Sequence, residues 1–391
     1  MMKKLISAFI LIIVFTLNGY SQENIKITHG PYLCDMSETG VTIVWTTNNM
    51  AKSWVEVAPD DGTNFYSYER PKYFDTKNGR IQAANTLHKV RISNLKPGTS
   101  YRYAVFSQEV VLWEPNKRVL YGSIVANAAY SRNSLSFRTF SNEDDSVSFL
   151  VFNDLHGRSQ FMKDVSKGID FRKIDMVIFN GDMSSSLNSE EQLFTDFIDA
   201  SVEIFASRVP ILFTRGNHET RGTFADYLMD YFPKESDNIY QLVNVGNVTF
   251  LMLDCGEDKP DSDIEYSGLA DFDSYRIAEA EWLREVVKSK NYLESNVKIA
   301  ILHMPPMEGN WHGNIHLRET LLPVLNEANV TAMFSGHTHR YSYNKPEAGK
   351  INFPVLVNSN NAVIKCDIIN GKVKASIITA DGNKPSELLL N

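Results

Sequence analysis

Two patterns of hydrophobic and polar positions divide the chain. From about residue 25 to 140 lie short strand-like runs: Val41-Thr42-Ile43-Val44-Trp45-Thr46, rich in β-branched and aromatic residues, Trp54-Val55-Glu56-Val57, Leu87-His88-Lys89-Val90-Arg91-Ile92, which alternates apolar with polar, Tyr101-Arg102-Tyr103-Ala104-Val105 and residues 134–139. Alternation puts every second side chain on one face of a strand. The turn Leu95-Lys96-Pro97-Gly98-Thr99 separates two such runs, and short strands broken by turns predict a β-sandwich. Residues 141–146 are polar and acidic and read as a linker, with the boundary near residue 145. Beyond it the pattern changes. Apolar runs at 147–152, 174–179, 209–213, 248–253, 298–302 and 330–334 predict buried strands. Between them lie segments of helical spacing at 159–168, 189–206, 277–290 and 317–327. The second carries Leu193, Phe194, Phe197, Ile198, Val202 and Phe205 on one face, with Ser189 and Gln192 placed to cap it. Residues 223–232 can turn helical, and 240–243 with 248–253 form a hairpin. Strands alternating with helices predict α/β layers. The chain therefore divides into an all-β region at 25–140 and an α/β region at 147–391.

The first 21 residues have a different character. Lys3 and Lys4 precede a mainly apolar stretch from 5 to 17, and Gly19 and Ser21 are small residues spaced for cleavage before Gln22. This is the pattern of an export signal. The apolar stretch is shorter than the roughly 20 residues of a spanning helix. No later run is long enough to span, so the mature chain is expected to be exported to the periplasm or secreted. The 391 residues carry a formal net charge of −8, which argues against non-specific binding to nucleic acid. Bound metals reverse the local sign, so a small phosphorylated substrate stays compatible with that charge. Three cysteines, Cys34, Cys255 and Cys366, show no metal-binding spacing and read as buried thiols.

The candidate chemistry sits where the apolar runs of the second region end. Asp154 and His156 follow the first, Gly181-Asp182 the second, and Arg215-Gly216-Asn217-His218-Glu219 the third; His303 and Gly336-His337-Thr338-His339 follow two later runs. Open α/β sheets place ligands at the carboxyl ends of their strands. Two nearby divalent ions need a bridging carboxylate and several neutral donors, and these loops supply two Asp, one Asn and four His. Gly181, Gly216 and Gly336 let the backbone turn sharply and approach an ion. Each piece alone is weak; all five in one region, each at a strand end, are specific.

These five motifs resemble the signature of the calcineurin-like metallophosphoesterases. Gly30-Pro31-Tyr32-Leu33 with Val41–Trp45 is similar to the N-terminal domain of purple acid phosphatases, and Trp45 with the Leu95–Tyr103 segment resembles a fibronectin type III sandwich. The resemblance implies a four-layer fold of two mixed sheets flanked by helices. It implies that Asp154, His156, Asp182 and His339 bind one metal and that Asn217, His303 and His337 complete the other, with Asp182 bridging. A metal-bound hydroxide would then attack phosphorus, with His218 as the acid beside the leaving oxygen. The donors accept iron, manganese or zinc. The purple enzymes carry a tyrosine ligand where this chain has Ser185 and lack a counterpart of His156, so a ferric tyrosinate is not expected.

Around this set, residues 305–316 read as a substrate-rim loop with His312 facing substrate and His316 able to cap the next helix. Glu219 either orients His218 or is a solvated carboxylate. Arg158, Arg215 and Arg221 lie near ligand loops and either contact a phosphate or, the favoured reading, are surface arginines. The expected activity is a phosphomonoesterase. A phosphodiesterase or nucleotide hydrolase stands as the alternative, and a binding protein with a vestigial metal region stands below both.

Overall fold

A computed structural model describes residues 24–67, 69–114, 118–127, 135–144, 146–234, 236–381 and 387–391. The export signal read at 1–21 lies outside the described residues. Among these residues no helix is long and apolar enough to cross a membrane.

Two large sheets face each other. The nine-stranded sheet runs, edge to edge, through Glu387–Leu389, Lys372–Thr379, Ala362–Ile369, Ser146–Phe152, Met176–Asn180, Ile211–Thr214, Ile27–Cys34, Val41–Thr47 and Leu87–Ile92. The six-stranded sheet runs through Gln241–Val245, Val248–Met252, Val297–Ile301, Ala332–Ser335, Val355–Val357 and Ser342–Asn344. Both are mixed. Ser146–Phe152, Met176–Asn180 and Ile211–Thr214 are parallel, as are Val248–Met252, Val297–Ile301, Ala332–Ser335 and Val355–Val357.

Period-two alternation builds the layers. Val147, Phe149 and Val151 enter the core between the sheets, whereas Leu150 and Phe152 face the outer helices. Val248, Phe250 and Met252 enter the same core from the opposite sheet, with Leu251 and Leu253 turned outward. Phe149 meets Phe250 and Phe334 edge-on, with ring centroids 5.2 and 5.7 Å away. Helices cover both outer faces, which completes the four layers and the α/β architecture expected.

The β-region is a sandwich whose second sheet is formed by Leu135–Arg138, Ser100–Trp113, Ala51–Pro59 and Lys72–Phe74, with Val119–Ala126 paired to Ser100–Trp113. Its first sheet is not separate. Ile27–Cys34 pairs in parallel with Ile211–Thr214 through Cys34 and Ile211, so it continues the nine-stranded sheet. Trp45, Val55 and Tyr103 accordingly share one core with Phe149 and Phe250. The three cysteines are buried and unpaired.

Three local expectations shift. The helix read at 277–290 is Phe272–Val286, because Asp261 accepts hydrogen bonds from the amides of Phe272 (2.9 Å) and Asp273 (3.0 Å) and starts it early. That cap comes from eleven residues upstream, beyond the reach of local spacing. Residues 225–231 form a 3-10 helix. The loop read at 305–316 stops at Trp311, and His312 opens the helix His312–Thr320. Ser189 does cap its helix, accepting from Gln192 N at 3.2 Å.

Candidate metal centre

Parallel register brings the five loops to one edge. Phe152 lies opposite Phe179, Asn180 opposite Thr214, and Ile301 opposite Phe334 and Met252. The two sheets are stitched at this edge by hydrogen bonds from Asn180 Nδ2 to Phe334 O (3.2 Å) and from Thr214 Oγ1 to Leu253 O. His303 Nδ1 lies 2.7 Å from Asn180 O. A carbonyl only accepts, so Nδ1 carries a proton and Nε2 is the ring atom that faces Asp182.

The backbone is unusual here. Asp154, His156, Asp182, His337 and His339 all have φ between 49° and 69°. The left-handed region disfavours side chains, and residues held there cost of order 1–3 kcal/mol each. The strain turns each loop back over its strand end. The glycines are required by contact: a Cβ on Gly216 would meet Asp182 Oδ1 at 2.3 Å, and one on Gly181 would meet Gly216 and the His303 ring at 2.6 Å.

Two groups of donors result. Asp154, His156, Asp182 and His339 offer atoms within 4.8 Å of one another, as do Asp182, His303 and His337. Asp182 belongs to both. Asn217 joins the second group, its Oδ1 lying 3.1 Å from His337 Nδ1. His303 Nε2 is 3.1 Å from Asp182 Oδ2, His339 Nε2 is 3.2 Å from Asp154 Oδ1, and His156 Nε2 is 3.2 Å from His339 Nε2.

The protein alone does not satisfy these atoms. Asp154 Oδ1 and His303 Nε2 are buried and make no hydrogen bond. Buried polar groups without partners are costly. Burial would lower the His303 pKa, but Asp182 and Asp154 outweigh it and raise it to about 10. Burial acts to raise Asp154 and Asp182, yet neighbouring histidines, His303 foremost, hold both below the usual range. Burial lowers His156, and it lowers His337 to about 4, so both stay neutral donors. Ionised carboxylates and imidazole nitrogens around two foci, with His303 holding a proton that a bound cation would displace, match a pair of divalent ions.

His218 borders the cluster. Its Nδ1 lies 2.8 Å from Ser185 O, its Nε2 is 4.0 Å from Asp182 Oδ2, and its ring meets that of His156 edge-on at 4.7 Å. Ser185, at the position of the absent tyrosine, holds His156 Nδ1 through Oγ at 3.2 Å. Glu219 follows neither reading of it. It is fully buried and accepts from the amides of Asp182 (2.8 Å), Met183 (2.6 Å), Ser184 (3.1 Å) and Gly216 (2.9 Å). It is a clamp between the two loops that carry Asp182 and Asn217. Burial, then Asp182, pushes its carboxyl up to about 7 against those amides.

His312 opens a helix and does not lie in the loop expected. Its Nε2 lies 2.8 Å from Asp273, and its ring stacks on that of His316 at 5.8 Å. Helix formation after Trp311 turns the side chain toward the helix Phe272–Val286. The arginines are not free surface groups either. Arg215 pairs with buried Asp254 (2.8 Å), Arg158 donates to backbone carbonyls of Asp154 and Leu155, and Arg221 pairs with Glu257. Sequence reasoning missed Asn358, whose Nδ2 donates to Asn153 Oδ1 (2.7 Å), while Asn153 donates to Asp154 Oδ2. It also missed Glu257. No sequence signal marks either.

Residues 147–341 match the family model described as calcineurin-like phosphoesterase, and 32–119 match that of the purple acid phosphatase N-terminal domain. The chain is 24% identical over 319 residues to the probable purple acid phosphatase 20 of Arabidopsis thaliana, covering 75% of this chain and 66% of that one. It is 25% identical over 348 residues to purple acid phosphatase 22 of the same plant, covering 84% and 69%. The chain thus spans about two thirds of these relatives' length. Purple acid phosphatase PPD1 from yellow lupin (Lupinus luteus) seeds shares the fold, with a TM-score of 0.65 at 14% identity, over 92% of this chain and 73% of that one. The chain belongs to the calcineurin-like metallophosphoesterases, with a purple acid phosphatase N-terminal domain in front of the domain that bears the candidate metal ligands.

Proposed function

We propose that this protein is an exported, metal-dependent phosphomonoesterase acting on small phosphate esters. The observation that carries the reading is the pair of donor groups sharing Asp182, with buried ligand atoms on Asp154 and His303 that make no hydrogen bond. Asp154, His156, Asp182 and His339 would hold one ion; Asp182, Asn217, His303 and His337 would hold the other. When bound, the ions supply Lewis-acid stabilisation of phosphoryl charge and activation of water.

The chain's own groups then do the following. The Asn180 carbonyl fixes the tautomer of His303, and Ser185 fixes the ring of His156. Ser185 O accepts the Nδ1 proton of His218, which turns Nε2 toward the reacting centre. As the water oxygen bonds to phosphorus and the ester P–O bond breaks, Nε2 delivers a proton to the leaving oxygen; the water's proton passes to solvent. The division at residues 25–140 and 147–391 fits this reading, the first part bracing the sheet whose strand ends carry the loops. His312, tied to Asp273, would line the substrate rim. Iron, manganese or zinc suits the donor set.

The test is hydrolysis of paired aryl monoester and diester substrates after chelation and return of single metals, with Asp182→Asn as control. Turnover of the monoester that one metal restores, and that the variant lacks, supports the reading. Preference for the diester turns it to a phosphodiesterase. Absence of metal binding overturns it.

A further inference from the structure

We infer that Arg221 is a positioning residue for His218, held in that role by Glu257, and that the pair acts on departure of the leaving group. This rests on the phosphoesterase reading above. Arg221 Nη1 lies 3.5 Å from His218 Nδ1 and 3.4 Å from Nε2. A nitrogen in the ring plane at equal distance from both would press against Cε1. The guanidinium therefore lies over the ring face. The opposite constraint comes from Ser185 O on the Nδ1 edge, and the His156 ring closes the site side. One edge and one face are thereby fixed, which leaves Nε2 a single direction.

The arginine is itself immobilised. Its Nε and Nη2 donate to the two oxygens of Glu257 at 2.7 and 2.9 Å. Such bidentate pairs set the orientation of the guanidinium plane, which a lysine cannot reproduce. Glu257 is buried and also accepts from Thr220 Oγ1 (2.8 Å) and Tyr266 OH (3.0 Å). Its loop is anchored by Arg276, fully buried, which donates to the carbonyls of Cys255 and Glu257 and to Asp273, the carboxylate that also holds His312. A continuous wall thus runs from His312 through Asp273, Arg276, Glu257 and Arg221 to His218. With its charge matched by Glu257 and by Asp258 at 3.7 Å, Arg221 is poorly suited to capture a phosphate dianion. It is suited to hold a ring in place.

The experiment uses the full metal-loaded protein with nitrophenyl phosphate, whose leaving group needs no proton, and glycerol 2-phosphate, whose leaving group does. A positioned general acid contributes roughly 10²–10⁴-fold. Arg221→Ala should lower kcat on glycerol 2-phosphate by about 10- to 100-fold, a part of that contribution, and on nitrophenyl phosphate by less than about threefold. KM and two metals per chain should be retained. Arg221→Lys should behave like the alanine variant, Glu257→Gln should show the same selectivity, and combining Arg221→Ala with His218→Ala should add little to His218→Ala alone. Equal loss on both esters, a raised KM with kcat kept, or loss of metal in both Arg221→Lys and Glu257→Gln would overturn the inference while leaving the phosphoesterase reading intact. A metal-loaded wild type that hydrolyses neither ester overturns both.

Discussion

Around Trp45 and His88 in the β-region, buried side-chain donors meet acceptors; where the candidate ligands converge in the α/β region, two buried ligand atoms make no hydrogen bond. In the former, Trp45 Nε1 donates to Ser107 Oγ at 2.9 Å, Ser107 meets Ser53 at 2.8 Å, and His88 Nε2 meets Thr47 Oγ1 at 2.8 Å. In the latter, Asp154 Oδ1 and His303 Nε2 are orphaned, and five of the seven candidate ligands have left-handed backbones. The same nine-stranded sheet runs through both. The difference is therefore not one of scaffold. The Trp45 and His88 cluster closes on itself, while the ligand cluster holds left-handed backbones and buried ligand atoms without hydrogen bonds that ions can relieve, as functional sites do.

The largest test of this contrast is Asp182→Asn. The variant removes a carboxylate shared by both donor groups, so two-metal loading should fail. Turnover should fall by more than the roughly 10²–10³-fold that follows loss of one transition-state donor. Metal at about a thousandfold above its dissociation constant should stabilise the wild type by about 4 kcal/mol, and most of that should vanish in the variant. Metal analysis and thermal melts with and without chelator check both. A variant that keeps two ions and the full thermal shift would show that Asp182 is not shared.

Trp45→Ala probes the other side. Trp45 is fully buried, and its ring lies 5.4 Å from that of His88. Removing a buried tryptophan typically costs about 3–5 kcal/mol. Urea unfolding should show a loss of that size, with metal stoichiometry of the folded protein unchanged. Because Trp45 shares a core with Phe149 and Phe250, loss of metal at unchanged fold would break the separation drawn here.

Glu219 shows where sequence reading stops. The layers were legible because alternation in runs such as 147–152 reports two buried faces, and the donors were legible because Asp, Asn and His recur at strand ends. What Glu219 touches was not: its partners are backbone amides of Met183 and Ser184, groups every residue carries. The same holds for Asp261, which caps a helix eleven residues away through amides, and for His312, whose partner Asp273 lies in another helix. The joining of the β-region to the main sheet through Cys34 and Ile211 left no trace in either run. Glu219→Gln replaces an acceptor of four amides with a group that also donates. Outer partners of a metal site typically tune affinity by about 10–100-fold, and a loss of that size in metal titration, smaller than that of Asp182→Asn, is expected. Unchanged affinity would make the clamp a matter of folding alone.

His88 gives the smallest effect and isolates the β-region by pH. Burial lowers its pKa to about 3, against an unfolded value near 6.5. Thr47 Oγ1 gives its proton to Asn49 O at 2.7 Å, so it accepts from His88 Nε2–H, and the neutral ring satisfies the pair. The folded state resists protonation and the unfolded state does not. This contribution to stability is complete above pH 6.5 and is lost as pH falls toward 3, by up to about 1.4 kcal/mol per unit. His88→Gln keeps a donor for Thr47 without a titrating ring. In metal-free protein, where release of ions by acid plays no part, the wild type should lose more stability between pH 7 and 5 than the variant, by about 2 kcal/mol at most. Parallel pH profiles for the two would mean that acid acts elsewhere than at His88, and that the neutral ring is not what holds this part of the β-region together.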